Sequence, residues 1–170
     1  MKRCVIDTNV MVTANKAVNC MEDDTAGKYP ALIENCIKFL NDIKEKEIYV
    51  VLDMDSEILN EYRNNLNPSG QPGVGDAFFK WLFSNCWGFP SSERIKLHKT
   101  EKGYEEFPIE MDNLSVDKDD KKFFAVSNAH QKKPDIFEAV DSKWWNWRPA
   151  ALNCGIHIRF LDEQYMRDYN

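Results

Sequence analysis

Short β-rich runs alternate with helix-period segments along this chain, and that alternation limits its fold more than any other feature. Cys4-Val5-Ile6, Ile48 to Leu52, Ile136 to Val140 and Ile156 to Leu161 are compact apolar runs with the composition of buried strands. Between the first two, Leu32, Ile33, Cys36, Ile37, Phe39, Leu40 and Ile43 recur at helical spacing from Tyr29 to Glu47, with Pro30 in the first turn. Parallel neighbours need crossovers, and helices supply them. The expected fold is therefore α/β: one domain over residues 1–170, three-layer α/β/α, with a central, mainly parallel twisted sheet.

The remaining segments fit this scheme unevenly. Residues 10–28 read as a short helix and a loop carrying the polar patch Glu22 to Thr25 and Gly27. A helix is expected from Asp55 or Ser56, either of which could cap it, to Leu66, with a stripe of Ile58, Leu59, Tyr62 and Leu66. Asn67 to Gly70 and Pro72-Gly73 end it in a flexible loop. That loop lacks a G-K-[ST] ending, so it reads as an exposed turn and not as a phosphate cradle. Residues 76–87 predict a helix, Arg94 to His98 a half-exposed strand, Lys118 to Gln131 a helix, and Asp162 to Tyr169 a terminal helix. Residues 99–116 are charged and irregular. The aromatic cluster Trp144-Trp145-Trp147 reads as core or an oligomer contact, with stacking on unpaired bases as the alternative.

Carboxylates fall at the junctions of these elements. Asp7 follows the first strand, Glu57 and Glu61 lie in the helix after the second, Asp117, Asp119 and Asp120 open a later helix, and Asp141 ends the strand 136–140. In an α/β sheet such ends converge on one edge. Two like charges about 5 Å apart repel by roughly 3 kcal/mol at an effective dielectric near 20. Four in one cleft would take up protons or bind a hard divalent ion, and Mg²⁺ or Mn²⁺ suits an all-oxygen site. Any one acid alone is better read as a cap or a solvated helix end. All four at matching places are not.

Helical geometry ranks the candidates. Glu61 lies about 115° from the centre of its helix stripe and Glu57 about 155°. Glu61 thus sits nearer the core boundary, and Glu57 reads as its solvated neighbour. Asp120 precedes Phe123 and Phe124 by three and four residues and points along the buried face. Asp117 reads as a cap or an outer support. Thr8 and Asn9 can hold the Asp7 carboxylate through turn hydrogen bonds. The basic residues nearby, Arg63, Lys118, Lys121, Lys122 and Lys143, read either as a weak substrate groove or as surface ion pairs.

Composition narrows the setting. The formal net charge of −6 argues against a sequence-independent nucleic-acid coat but not against a nuclease whose acids bind a cation. The five cysteines are odd in number and never in a C-x-x-C pair, which points to free thiols in a reducing compartment. His98, His130 and His157 show no ligand spacing with them and read as surface or packing residues. No stretch is apolar for long enough to span a bilayer, and Met1-Lys2-Arg3 leads into too few apolar residues for a signal peptide. A cytoplasmic protein is the expectation.

Taken in order, these residues resemble a PIN-domain nuclease. The opening strand with its D-T-N is matched by Val5-Ile6-Asp7-Thr8-Asn9, and the helical glutamate followed by an aromatic by Glu61-Tyr62. A D-x-x-D segment is matched by Asp117 to Asp120 and the last strand aspartate by Asp141. The resemblance implies a twisted parallel sheet and Mg²⁺- or Mn²⁺-dependent endonuclease cleavage of single-stranded RNA, with Asp7, Glu61, Asp120 and Asp141 as catalytic metal-binding acids. Thr8, Asn9, Asp117 and Ser142 would support them. Relatives of that kind include the toxins of toxin–antitoxin pairs, and many form homodimers, so an antitoxin protein and a second copy are the implied partners. The chain departs from the pattern at Ala139, where the family often has Thr or Ser, with Ser142 a partial substitute.

Other classes fit less well. A haloacid-dehalogenase-like phosphatase needs a second aspartate where this chain has Asn9. A response-regulator receiver could use Asp53 as phospho-acceptor but lacks the acidic partner beside Asp7. A catalytically weak or inactive PIN-like module binding RNA or a protein remains the main alternative, favoured by Ala139 and the acidic charge.

Overall fold

In the computed structural model, which describes residues 2–18 and 29–169, the alternation seen in the sequence becomes a mixed α/β fold with a mainly parallel sheet. The first half contains β1 (Arg3–Ile6), α1 (Thr8–Asn15), α2 (Pro30–Glu45), β2 (Tyr49–Val50), β3 (Leu52–Asp53), α3 (Glu57–Asn65) and α4 (Val74–Asn85). The second half contains β4 (Arg94–Ile95), the hairpin β5 (Lys99–Thr100) and β6 (Gly103–Tyr104), α5 (Lys121–Ala129), β7 (Ile136–Glu138), α6 (Ser142–Asn153), β8 (Ile158–Phe160) and α7 (Glu163–Tyr169). The polar patch Glu22 to Thr25 and Gly27 lie outside the described residues.

Cys4, Val5 and Ile6 are fully buried, so β1 is covered on both faces and takes the centre of the sheet. β2 pairs on one side with Tyr49 opposite Arg3, and β7 on the other with Phe137 opposite Ile6. β8 extends the sheet beyond β7, giving the parallel order β2-β1-β7-β8. After Val51, β3 carries the chain on to pair in parallel with β4. From β1 the chain therefore builds outward to one side and later returns to fill the other. The crevice at the carboxyl ends of β1 and β7 is where that order reverses, the usual ligand position in such sheets.

The helices bury what the sequence stripes offer. α1 packs on α2 and α4, and Gly75 permits the second contact, since a Cβ there would meet the Met11 carbonyl oxygen at 2.0 Å. α5 lies against β1, β3 and β7 and meets α6 through aromatic rings. Phe124 stacks on Trp144 with centroids 4.6 Å apart, and Trp147 meets both rings. Trp144 and Trp147 are therefore core, which removes them as a platform for bases. Tyr62 joins α3 to the central strand, its buried hydroxyl donating to the Ile6 carbonyl at 2.5 Å. Tyr62→Phe is expected to lower unfolding stability by about 1–2 kcal/mol, measurable by denaturant titration.

Several local expectations change. Ser56 takes the N-cap position of α3 but makes no side-chain cap bond; the Asp53 carboxylate accepts instead from the Glu57 and Ile58 amides at 2.7 and 2.8 Å. Buried and so engaged, Asp53 is unavailable as a phospho-acceptor. Asp76 ties into the loop after Leu66, accepting from the amides of Asn67 and Gly73 and from the Asn15 side chain. The strand expected over 94–98 stops at Ile95, since Leu97 turns into the core and His98 binds Glu106. The irregular stretch then forms the β5–β6 hairpin and buries Phe107, Met111 and Val116. α5 begins at Lys121, later than the expected Lys118, and α6 is an unanticipated helix behind Asp141. No helix among the described residues is long and apolar enough to cross a membrane.

Candidate metal centre

Each of the predicted acids owes its place to a strand end or a helix start. Asp7 leaves β1 as the N-cap of α1, accepting from the Asn9 amide at 2.8 Å. Asp141 leaves β7 as the N-cap of α6, accepting from the Lys143 amide at 2.8 Å. Asp120 stands at the N-terminus of α5. Glu61 projects from the second turn of α3 and takes a hydrogen bond from the Thr8 hydroxyl, next to Asp7 in the chain. Capping uses one oxygen of Asp7 and one of Asp141. It does not account for the charge these groups concentrate.

That charge bears on the acidity of each group. Asp120 is pushed up to about 7, first by burial and then by the carboxylates of Asp7, Asp141, Asp117 and Glu61. All the predicted acids thus act on one group. Asp7, only 3% exposed, is raised well above the ordinary carboxylate range by burial and by Glu138, against the lowering effect of the Asn9 amide. Glu138 is fully buried and raised to about 7, burial being the main cause. Asp7 and Glu138 share a hydrogen bond that favours the proton on Asp7.

Glu138 is the residue sequence reasoning missed. It lies in β7 beside the exit of β1, and it accepts from the Asn9 side chain at 3.2 Å and from the Asp141 amide at 2.9 Å. One carboxylate therefore ties together the turns that carry Asp7 and Asp141. The signal was present: a glutamate inside an otherwise apolar strand has to be paired when buried. Asn9, expected to act in its own turn, acts here on Glu138.

The supporting residues divide. Thr8 orients Glu61 and Asn9 orients Glu138, whereas exposed Asp117 pairs with Lys143 at 2.5 Å. Ser142 is half-buried at the first position of α6. Glu57 is held by Lys99 at 2.5 Å, away from this cluster's hydrogen bonds. Of the basic residues, Lys121 lies over the Phe107 ring and Arg63 over Phe83. Lys122 is the exception, because it is only 5% exposed and its ammonium lies against Glu61. Glu61 Oε2 has this cation beside it but no hydrogen bond of ordinary geometry.

Carboxylate oxygens are the donors a hard divalent ion takes, but no three of Asp7, Glu61, Asp120 and Asp141 bring ligand atoms within 4.8 Å of one another. Among the described residues, the group whose ligand atoms all lie within 4.8 Å is a different one, His98, Glu105 and Glu106. It is mostly exposed, and the His98–Glu106 hydrogen bond at 2.6 Å accounts for part of its closeness. Lys122 serves as the counter-ion of Glu61. Lys122→Met is expected to lower metal-free stability by about 2 kcal/mol, because it leaves a partly buried carboxylate uncompensated. Thermal melts should show Mn²⁺ restoring more stability to this variant than to the unaltered chain.

Comparison with known proteins gives no match to a family model, to a curated protein or to a solved structure.

Proposed function

We propose that this protein is a divalent-metal-dependent endoribonuclease that hydrolyses phosphodiester bonds of single-stranded RNA, on a three-layer α/β/α fold of PIN type. The observation that carries the reading is Asp120 near the sheet's switch point, pushed up to about 7 first by burial and then by the carboxylates of Asp7, Asp141, Asp117 and Glu61. Those four acids would hold Mg²⁺ or Mn²⁺. Such an ion supplies a nucleophilic water at neutral pH and a Lewis acid for the phosphoryl oxygens.

The chain's own residues prepare this site. Glu138 fixes the two turns bearing Asp7 and Asp141, and Thr8 fixes the rotamer of Glu61. Lys122 neutralises Glu61. Holding such an ion would require Asp120 and the Asp7–Glu138 pair in ionised form, which would make binding pH-dependent. The toxin of a toxin–antitoxin pair is the cellular role the resemblance suggests, with an antitoxin protein and a second copy as partners.

A second reading has one observation in its favour. With Lys122 against Glu61, the acids are already partly compensated, as a non-catalytic RNA- or protein-binding module would have them. Calorimetry separates the two. The nuclease should bind Mn²⁺ with release of protons and cut an unstructured RNA oligonucleotide. A chain that shows no heat with Mn²⁺ and no cleavage is the binding module.

A further inference from the structure

A polar cleft adjoins the candidate centre on the outer side of α3. Its volume is about 470 Å³, with Asn60, Glu61 and Asn64 on one wall and Asp119 and Lys122 on the other. That is within the size range of a small-ligand site. The cleft and the centre share Glu61. One of its oxygens takes the Thr8 hydroxyl beside Asp7, and the other lies against the Lys122 ammonium. A nucleotide whose phosphate lies at the acids would thus have an adjacent base at this cleft.

The lining is wrong for phosphate. Lys122 is its only cation among the described residues, and the ammonium is committed to Glu61 and to the Asp119 carbonyl at 2.5 Å. Glu57, also on the lining, is paired with Lys99. The Asp119 carboxylate has no ion pair among the described residues, so the charge left over is negative. Such walls accept a neutral group that brings N–H donors.

The asparagines are the independent observation. Three of the nine residues of α3 are asparagine, and Asn60 and Asn64 stand one turn apart on an exposed face. Asparagine is a poorer helix former than the alanine, glutamate or lysine that an exposed face ordinarily takes. A local preference broken without compensation is expected where a position serves function. Asn65 has such compensation, donating to the Glu61 carbonyl at 2.9 Å. The side chains of Asn60 and Asn64 have no hydrogen bond among the described residues.

We propose that Asn60 and Asn64 read an unpaired base whose exocyclic amine stands beside a ring-nitrogen acceptor, the edge that adenine and cytosine share. A carboxamide offers C=O and NH₂ side by side and meets that edge with two parallel hydrogen bonds. Single-stranded RNA exposes the edge, whereas a duplex hides it. Uracil carries a carbonyl in place of the amine, and the negative charge on the lining opposes it. The proposal rests on the nuclease reading for the phosphate beside the base, and not for the base itself.

The test has two arms. In the first, adenosine, cytidine and uridine are titrated into the full chain in chelator-containing buffer, with the side-chain amide signals of Asn60 and Asn64 followed by NMR. Nucleosides carry no phosphate, so this arm needs neither metal nor cleavage. Adenosine or cytidine should move both signals at concentrations about tenfold below uridine. Equal responses assign the shared amino edge alone, and a stronger adenosine response adds the second ring. In the second arm, uridine oligonucleotides with a single adenosine or cytidine are cut with Mn²⁺. Cleavage should be about tenfold faster beside the inserted base, and Asn60→Ala or Asn64→Ala should make it uniform while calorimetric Mn²⁺ binding is unchanged. Both asparagines are exposed, so these variants should remain folded. A nucleoside response without cleavage of any RNA removes the nuclease reading and leaves the base site. Amide signals that stay still, or that uridine moves equally, overturn the base site whether or not RNA is cut, as does a cleavage preference that both variants keep.

Discussion

Asp7→Asn is expected to abolish Mn²⁺-dependent RNA cleavage, lowering the rate by roughly a thousandfold, which is about 4 kcal/mol of barrier at 1.36 kcal/mol per decade. The substitution separates catalysis from folding unusually well. Asparagine is as good an N-cap as aspartate, so the bond now accepted from the Asn9 amide can persist. It also removes one of the acids that repel Asp120. Thermal stability without metal should therefore stay level or rise while cleavage disappears. Asp141→Asn should behave alike, its cap to the Lys143 amide being conserved in the same way. Cleavage that persists in both purified variants would point to a contaminating nuclease and remove the enzymatic reading.

Metal-free stability should fall as pH rises from about 4 to 8, and Mn²⁺ should reverse the trend. In the unfolded chain Asp and Glu titrate near 4. In the fold, Asp120 and Glu138 titrate at about 7, and Asp7 also lies above its ordinary value. Between those limits the native state binds more protons than the unfolded one. The stabilisation these groups contribute is thus complete below about pH 4 and lost as pH rises through about 7. Summed over the cluster, with partial exposure discounted, the loss is on the order of 3 kcal/mol. Asp55, Glu106 and Glu163, lowered by basic partners, act the other way in more acidic solution, and buried His130, lowered by burial, opposes the trend as pH rises toward its ordinary value near 6.5. Because a cation needs ionised carboxylates, the gain from Mn²⁺ should grow over the same pH interval. Urea titrations at successive pH values, with chelator and with Mn²⁺, measure both slopes. A flat metal-free profile would mean the carboxylates are too well solvated to repel one another.

These two expectations draw on different parts of what the chain makes legible. The positions of Asp7 and Asp141 could be read directly, since each ends an apolar run and short runs in an α/β pattern finish at the sheet's carboxyl edge. Glu61 could be separated from Glu57 by helical angle, and the fold sets them apart in the same sense, Glu61 meeting Thr8 and Glu57 meeting Lys99. For Trp144 and Trp147 the sequence left core and oligomer contact open, and burial decided for the core. Asp53, Glu138 and Lys122 were not legible in this way. Each is a charged residue whose meaning depends on a neighbour distant in sequence or on a turn that periodicity does not describe.

What the sequence determined by itself was the alternation of strands and helices, and with it the set of carboxylates delivered to one edge, because side-chain periodicity and chain reversal are local properties. Tertiary structure alone decided that Glu138 sits beside Asp7, that Lys122 turns inward to Glu61, and that His130 Nε2 comes to lie 3.4 Å from the buried Glu93 carboxylate. The reason is lateral register: which strand lies next to which, and how far it slides, is fixed by packing between segments far apart in the chain. No local pattern encodes that distance, yet it sets the electric field at every one of these groups.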